Sequence, residues 1–199
     1  MPWVAPPKYF DMHPLEDIQT PFAPKDDLND LSKAGKIFAH YHAGINLNDP
    51  TDHRYITSQP DLWKRAVRAY LACSSFTDGN VGTVLNALEN SKYRDNTIVV
   101  IWSDHGWHLG EKEHWRKMAL WEASTRVLFQ IRTAGMKSSG HNCYRPVNLQ
   151  DIYPTLQRLC NLMVNQTLDG NDLTPLLQNP HAKWEYPSVT TYGLSLIHI

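Results

Sequence analysis

The stretch that most constrains this chain is a run of β-branched and aromatic residues, Thr97-Ile-Val-Val-Ile-Trp102, stopping at Ser103-Asp104-His105-Gly106. An apolar run of this length, bounded by polar residues, predicts a buried strand, central in a parallel sheet. Ligands of open α/β sheets sit beyond the carboxyl ends of strands. The strand end thus carries a carboxylate and an imidazole to where reactive centres lie, and Gly106 lets the backbone turn without a Cβ clash. Alone, Asp-His-Gly reads as an Asx-capped turn. The residues that follow shift the balance. From His108 to Lys117 titratable and aromatic side chains crowd one loop, and Trp102, Trp107 and Trp115 surround them. Polar groups with aromatic walls suit a binding pocket.

The rest of the chain predicts elements to carry this corner. Residues 61–91 have apolar positions at helical spacing, with Asp61 as N-cap. Gly79 and Gly82 weaken the middle of that helix, and a close helix–sheet approach accounts for them. Residues 126–131 predict a second strand. Residues 147–162 predict an amphipathic helix with Ile152, Leu156 and Leu159 inward, starting near Asp151 or Tyr153 because Pro154 is tolerated only in a first turn. A helical turn at 173–177 and a strand at 187–192 complete the order, which is that of an α/β domain. Residues 1–62 hold eight prolines and one plausible helix at 27–40. Trp3, Tyr9, Phe10, Phe22 and Phe38 mark them as an ordered excursion rather than a linker. His40 and His42 read as polar loop histidines.

Bulk properties exclude several classes. Net charge is −1, with no basic stripe for nucleic acid and no polybasic run for an anionic membrane. No apolar run reaches the roughly 18 residues of a membrane span. Three cysteines, Cys73, Cys143 and Cys160, are odd in number and widely spaced, so no disulfide framework is implied. Cys73 and Cys160 read as small buried apolar residues. Asn165-Gln-Thr167 matches the glycosylation acceptor pattern as an incidental short motif. Nothing fixes the compartment.

Ser103-Asp-His-Gly-Trp-His-Leu-Gly-Glu111, Trp115-Arg-Lys117 and Leu120-Trp-Glu-Ala-Ser-Thr-Arg126 resemble the second half of a type I, formylglycine-dependent sulfatase. The iduronate-2-sulfatase-like and choline-sulfatase-like branch is most similar. Asn148-Leu-Gln-Asp-Ile-Tyr-Pro-Thr-Leu156 and Leu168-Asp-Gly-Asn-Asp-Leu-Thr-Pro-Leu-Leu177 extend the likeness, which runs from about Pro2 to Gly193. It implies an α/β fold of alkaline-phosphatase and sulfatase type, a mixed sheet flanked by helices, here incomplete. On that basis residues 1–62 are a loop-rich excursion, residues 63–193 the C-terminal half of the catalytic domain, and residues 194–199 a tail foreign to the pattern.

The resemblance implies that Asp104 and His105 bind calcium, and that Lys117, thirteen residues beyond Asp104, contacts the sulfate. The chemistry agrees. Sulfuryl oxygens need cationic clamps, calcium prefers oxygen ligands, and a lysine is a compact charge on a long stem. Trp107, His108, His114 and Trp115 are candidates for the substrate pocket, His114 shaping it or protonating the leaving group. Arg116 is expected to face outward or pair with Glu113, and Glu122 to pair with Arg126 at i,i+4 spacing.

The family's nucleophile is a formylglycine made from Cys or Ser in a C/S-x-P/A-S-R motif, which none of the three cysteines matches. The paired aspartates of the family's calcium site are absent too. The expectation is therefore an inactive, weakly calcium-binding piece of a sulfuric ester hydrolase whose substrates are sulfated small molecules or saccharides. The alternatives are a phosphodiesterase or phosphonate hydrolase of the alkaline phosphatase superfamily, or a non-catalytic remnant that binds sulfated glycans.

Overall fold

The computed structural model describes residues 3–40, 52–136, 138, 140–163 and 167–191. Helices α1 (Pro7–Asp11), α2 (Lys33–Ala39), α3 (Asp52–Thr57) and α4 (Leu62–Glu89) come first. Strand β1 (Val99–Trp102), the two-residue strands β2 (His108–Leu109) and β3 (Trp115–Arg116), helix α5 (Glu122–Thr125) and strand β4 (Phe129–Arg132) follow. Helices α6 (Ile152–Leu159) and α7 (Thr174–Gln178) close the order. The chain divides into two compact units, Met1–Arg94 with His105–Arg126, and Asp95–Asp104 with Val127–Ile199.

The first unit is built on α4, a 28-residue helix with no proline inside it. Asp61 precedes it but is not the expected cap: its φ is 57° and its side chain makes no capping bond. The proline-rich opening packs on this helix. The Arg68 guanidinium donates to the Phe10 carbonyl at 3.0 Å, His13 Nε2 meets Ser75 Oγ at 2.9 Å, and the Tyr9 and Phe76 rings lie 5.2 Å apart. A Cβ on Gly79 would come within 3.1 Å of the Tyr9 hydroxyl, so α1, not a sheet, makes the close approach; nothing lies within 4 Å of Gly82. Helix α2 starts at Lys33, later than the expected 27, because Ser32 caps it by accepting the Gly35 N–H at 3.1 Å. Ile18, Val67, Leu109 and Trp115 form the core, with Trp3, Trp63, Tyr70 and Trp107 packed around them.

In the second unit β1 and β4 pair antiparallel, from Val99 opposite Arg132 to Trp102 opposite Phe129. The neighbour seen is antiparallel, where a parallel sheet was expected around this strand, and the strand is half-buried rather than buried. A parallel neighbour needs a crossover helix, whereas the residues after β1 lead to an antiparallel return. Trp102 is 51 % exposed. The second strand begins at Phe129 rather than 126, because the Arg126 N–H still closes α5 on the Glu122 carbonyl at 2.8 Å.

Helix α6 starts at Ile152, with Pro154 in its first turn, and its most buried residues are Thr155 and Gln157 rather than the apolar positions. Asp151 is fully buried; its carboxylate accepts the backbone N–H of Asn148 and of Asn171, each at 2.8 Å. Thr155 Oγ1 accepts the Leu173 N–H at 2.9 Å. A Cβ on Gly170 would lie 2.2 Å from the Gln150 carbonyl oxygen. These contacts weld the two downstream motifs into one body. Residues 187–191 form no strand. Asn148 holds them, accepting the Val189 N–H at 2.9 Å and donating to the Pro187 carbonyl at 3.0 Å. Cys160 is exposed and Cys73 half-buried, which corrects the buried reading of Cys160. His42, Asn165, Tyr192 and the 194–199 tail lie outside the described residues.

Candidate active site

The corner after β1 begins with Asp104, whose side chain is exposed. His105 is half-buried, and its Nδ1 donates to the Gly106 carbonyl at 2.8 Å. That bond puts the proton on Nδ1 and the lone pair on Nε2, the tautomer a metal-ligating histidine uses. Gly106 is required by close approach: its N–H donates to the Ser124 carbonyl at 2.8 Å, and a Cβ would lie 2.1 Å from the Ala123 carbonyl oxygen. Trp107 follows, half-buried, edge-on to Trp3 at 6.0 Å and 6.2 Å from the His105 ring. Its buried indole N–H has no hydrogen-bond acceptor among the described residues.

Strands β2 and β3 then form a hairpin, with His108 opposite Arg116 and Leu109 opposite Trp115. Trp63 of α4 sets its near end. The indole donates to the Leu109 carbonyl at 2.7 Å, and its ring covers Gly110, where a Cβ would lie 2.5 Å from it and φ is +123°. The turn that follows holds three non-glycine residues at positive φ: Lys112 at 55°, Glu113 at 53° and Arg116 at 75°. Each costs about 1–2 kcal/mol relative to ordinary backbone, so the surroundings must over-determine them.

The surroundings come from the proline-rich excursion. Asp27 accepts the Lys112 N–H at 2.8 Å and faces its ammonium at 2.9 Å, and Asp30 takes the same ammonium at 3.0 Å. His40 Nε2 meets Glu113 at 2.8 Å. His114 Nδ1 donates to the Ala39 carbonyl at 2.8 Å. The Trp115 indole faces His53 Nδ1 at 3.4 Å, and Arg116 pairs with Asp52 at 3.1 Å. Arg116 is thus outward-facing and paired with an acid, as expected, the acid being Asp52 rather than Glu113. Glu122 and Arg126 do meet, at 3.6 Å, with both side chains exposed.

His108 and His114 are each 1 % exposed and Trp115 4 %. The two imidazoles stack edge-on at 4.9 Å, with Trp121 at 5.7 and 5.9 Å. In this arrangement the three side chains support the loop from within. Burial pushes His108 below the usual imidazole range, against the pull of Glu111, whose carboxylate lies 3.9 Å from Nδ1. Burial also lowers His53, the more so with His40 near, although Glu113 and Asp27 oppose it. Lys117 follows β3, is exposed, and makes no ion pair among the described residues. No group of three or more His, Cys, Asp or Glu that could hold a metal occurs among those residues.

Asp27, Asp30, Asp52 and His53 escaped the sequence reading as partners of the loop. The only signal available was the density of acids and histidines in a proline-rich segment, which fixes no pairing.

The family model described as Sulfatase matches residues 36–162, including Asp104, His105 and Lys117. The chain belongs to the sulfatase family. A sulfatase of Formosa agariphila is 39 % identical over 197 residues, covering 97 % of this chain and 36 % of that protein. The iduronate 2-sulfatase of Mus musculus is 28 % identical over 155 residues, 72 % of this chain and 27 % of that protein. The phosphonate monoester hydrolase of Silicibacter pomeroyi superposes with a TM-score of 0.71 at 24 % identity, over 93 % of this chain and 36 % of that one. This likeness establishes the alkaline-phosphatase and sulfatase type of α/β fold. The chain thus spans between about a quarter and somewhat over a third of the length of these relatives.

Proposed function

We propose that this sulfatase-family chain supplies the metal-binding corner and the sulfate-contacting lysine of a sulfuric ester hydrolase. The nucleophile would come from elsewhere in a longer protein. The observation that carries this is the hairpin. It delivers an exposed Lys117, with no ion pair among the described residues, from a loop held at five successive residues, and it begins beside His105 in a ligand tautomer.

Asp104 and His105 fit a calcium site as a partial donor set, one carboxylate oxygen and one imidazole nitrogen. Calcium takes six to eight ligands, so further donors are required. When bound, the ion supplies positive charge to the sulfuryl oxygens. A formylglycine in the longer protein would supply the attacking group.

The remaining chemistry belongs to this chain. Lys117 places its ammonium against a non-bridging sulfate oxygen and offsets charge there. Trp107 offers an aromatic wall beside His105, and its unsatisfied indole N–H asks for an acceptor, since a buried unpaired donor costs about 1–3 kcal/mol. His108, His114 and Trp115 are candidates for the pocket wall, and their burial also lets them hold the hairpin in place. The substrate is a sulfated saccharide or small alcohol. The names of the relatives support that class, among them an ulvan-active sulfatase and a choline-sulfatase. The phosphonate hydrolase likeness, at 24 % identity, speaks for the fold alone.

The test is a side-by-side assay of the full-length enzyme on an aryl sulfate and an aryl phosphonate monoester. Sulfate release at least about tenfold more efficient, a gap of roughly 1.4 kcal/mol in the barrier, is expected. The reverse preference would make it a phosphonate hydrolase.

A further inference from the structure

Five consecutive residues, Lys112 to Arg116, each find a partner in residues 27–53. Four of these contacts join side chains of the loop to the excursion. The fifth is different in kind: the Asp27 carboxylate accepts a backbone N–H, that of Lys112, at a residue whose φ is 55°. A charge-assisted bond to the main chain fixes a conformation as well as a position. Both carboxylate oxygens are engaged, since the Lys112 ammonium reaches Oδ1 at 2.9 Å, and the same ammonium donates to the Asp27 carbonyl at 2.6 Å. The Asp27 side chain is 15 % exposed, whereas that of Asp30, the other partner of Lys112, is 67 % exposed. Burial alone would raise the Asp27 pKa, but the Lys112 hydrogen bonds and charge outweigh it and hold the carboxylate ionised.

We propose that Asp27 is a positioning residue for Lys117, acting through the Lys112 N–H to hold the left-handed turn five residues upstream. The inference rests on the assignment of Lys117 to the sulfate. The proline-rich excursion then has a function: it is the template on which the catalytic loop is set. A loop so held presents its lysine at one place, and a displacement of about 1 Å at such a group can cost on the order of 100-fold in rate.

The test uses the full-length enzyme with Asp27→Ala, Asp27→Asn and the double variant Asp27→Ala/Lys112→Gly. Amide exchange of residues 112–117, kcat and KM on an aryl sulfate, and the unfolding midpoint are measured. Asp27→Ala should speed exchange across 112–117 and lower kcat roughly 10- to 100-fold, with KM little changed and the midpoint lowered by a few degrees, since a charge-assisted bond and an ion pair are lost. Lys112→Gly should restore most of kcat in the double variant, because glycine adopts positive φ without help. Asp27→Asn keeps an acceptor oxygen for the Lys112 N–H and should recover much of the rate. Unchanged exchange in Asp27→Ala overturns the proposal, as does faster exchange with unchanged kcat or a loss that Lys112→Gly does not repair. An Asn variant as slow as the Ala variant also overturns it, since charge rather than the backbone bond would then matter. If the unsubstituted enzyme hydrolyses no sulfate ester, the functional assignment fails separately, and the exchange arm alone judges whether Asp27 sets the loop.

Discussion

Replacing Gly106 by alanine tests the corner most severely. The added methyl would lie 2.1 Å from the Ala123 carbonyl oxygen, 3.0 Å from its carbonyl carbon and 3.3 Å from Ser124 Cα. All three are backbone atoms, so no side chain can swing away. Ordinary contact is about 3.5 Å, so the two segments must part by roughly 1.4 Å. The 2.8 Å bond from the Gly106 N–H to the Ser124 carbonyl cannot survive that movement. Its loss contributes about 1 kcal/mol, and the overpacking strain adds about 1–3 kcal/mol. The sum, about 2–4 kcal/mol, corresponds to a fall of roughly 5–15 °C in Tm for a protein of this size. Thermal unfolding followed by tryptophan fluorescence, with hydrogen exchange at residue 106, measures both parts. A Tm within about 2 °C of the parent, with the residue 106 amide still protected, would refute the packing reasoning.

Other consequences follow from the same contacts. Burial holds His108 and His53 below their ordinary value of 6.5, so the unfolded chain takes up their protons first as pH falls. The stability they contribute is fully present above pH 6.5 and is lost below it, at up to about 1.4 kcal/mol per pH unit for each. Urea unfolding between pH 7.5 and 5 should show this slope, and His108→Phe should flatten it; a slope unaltered by the substitution would contradict the assignment. Asp151→Asn sets an amide NH₂ against one of two backbone N–H donors and should cost about 2–3 kcal/mol, read from the urea midpoint. Trp63→Phe removes the indole bond to the Leu109 carbonyl and should cost about 1 kcal/mol, with faster exchange confined to the hairpin.

How much of this was legible in the sequence depends on the kind of signal. The long helix α4 was legible because period and length agree over many turns. Strand β1 and the Asp104–Gly106 corner were legible because a β-branched run stops abruptly at polar residues. Strand direction was not, since an apolar run does not state its neighbour's direction. Asp61 has the composition of a cap but not its backbone, because φ of 57° turns its side chain from the first N–H groups. Lys112, Glu113 and Arg116 conceal the turn entirely, since glycine or asparagine normally advertises positive φ. The support for those residues comes from tens of positions away, where spacing rules do not reach. Residues 187–191 have the composition of a strand but form none, and the Asn148 side chain instead holds Pro187 and Val189.

The central claim is tested most directly by kcat/KM of Lys117→Ala on an aryl sulfate, measured in the full-length enzyme with calcium present. Lys117 is exposed, so its truncation should leave the unfolding midpoint unchanged. Loss of its charge at the sulfuryl oxygen should lower kcat/KM by roughly 100- to 1000-fold. A variant that turns over within about threefold of the parent, less than 1 kcal/mol in the barrier, would contradict the assignment of Lys117 to the sulfate.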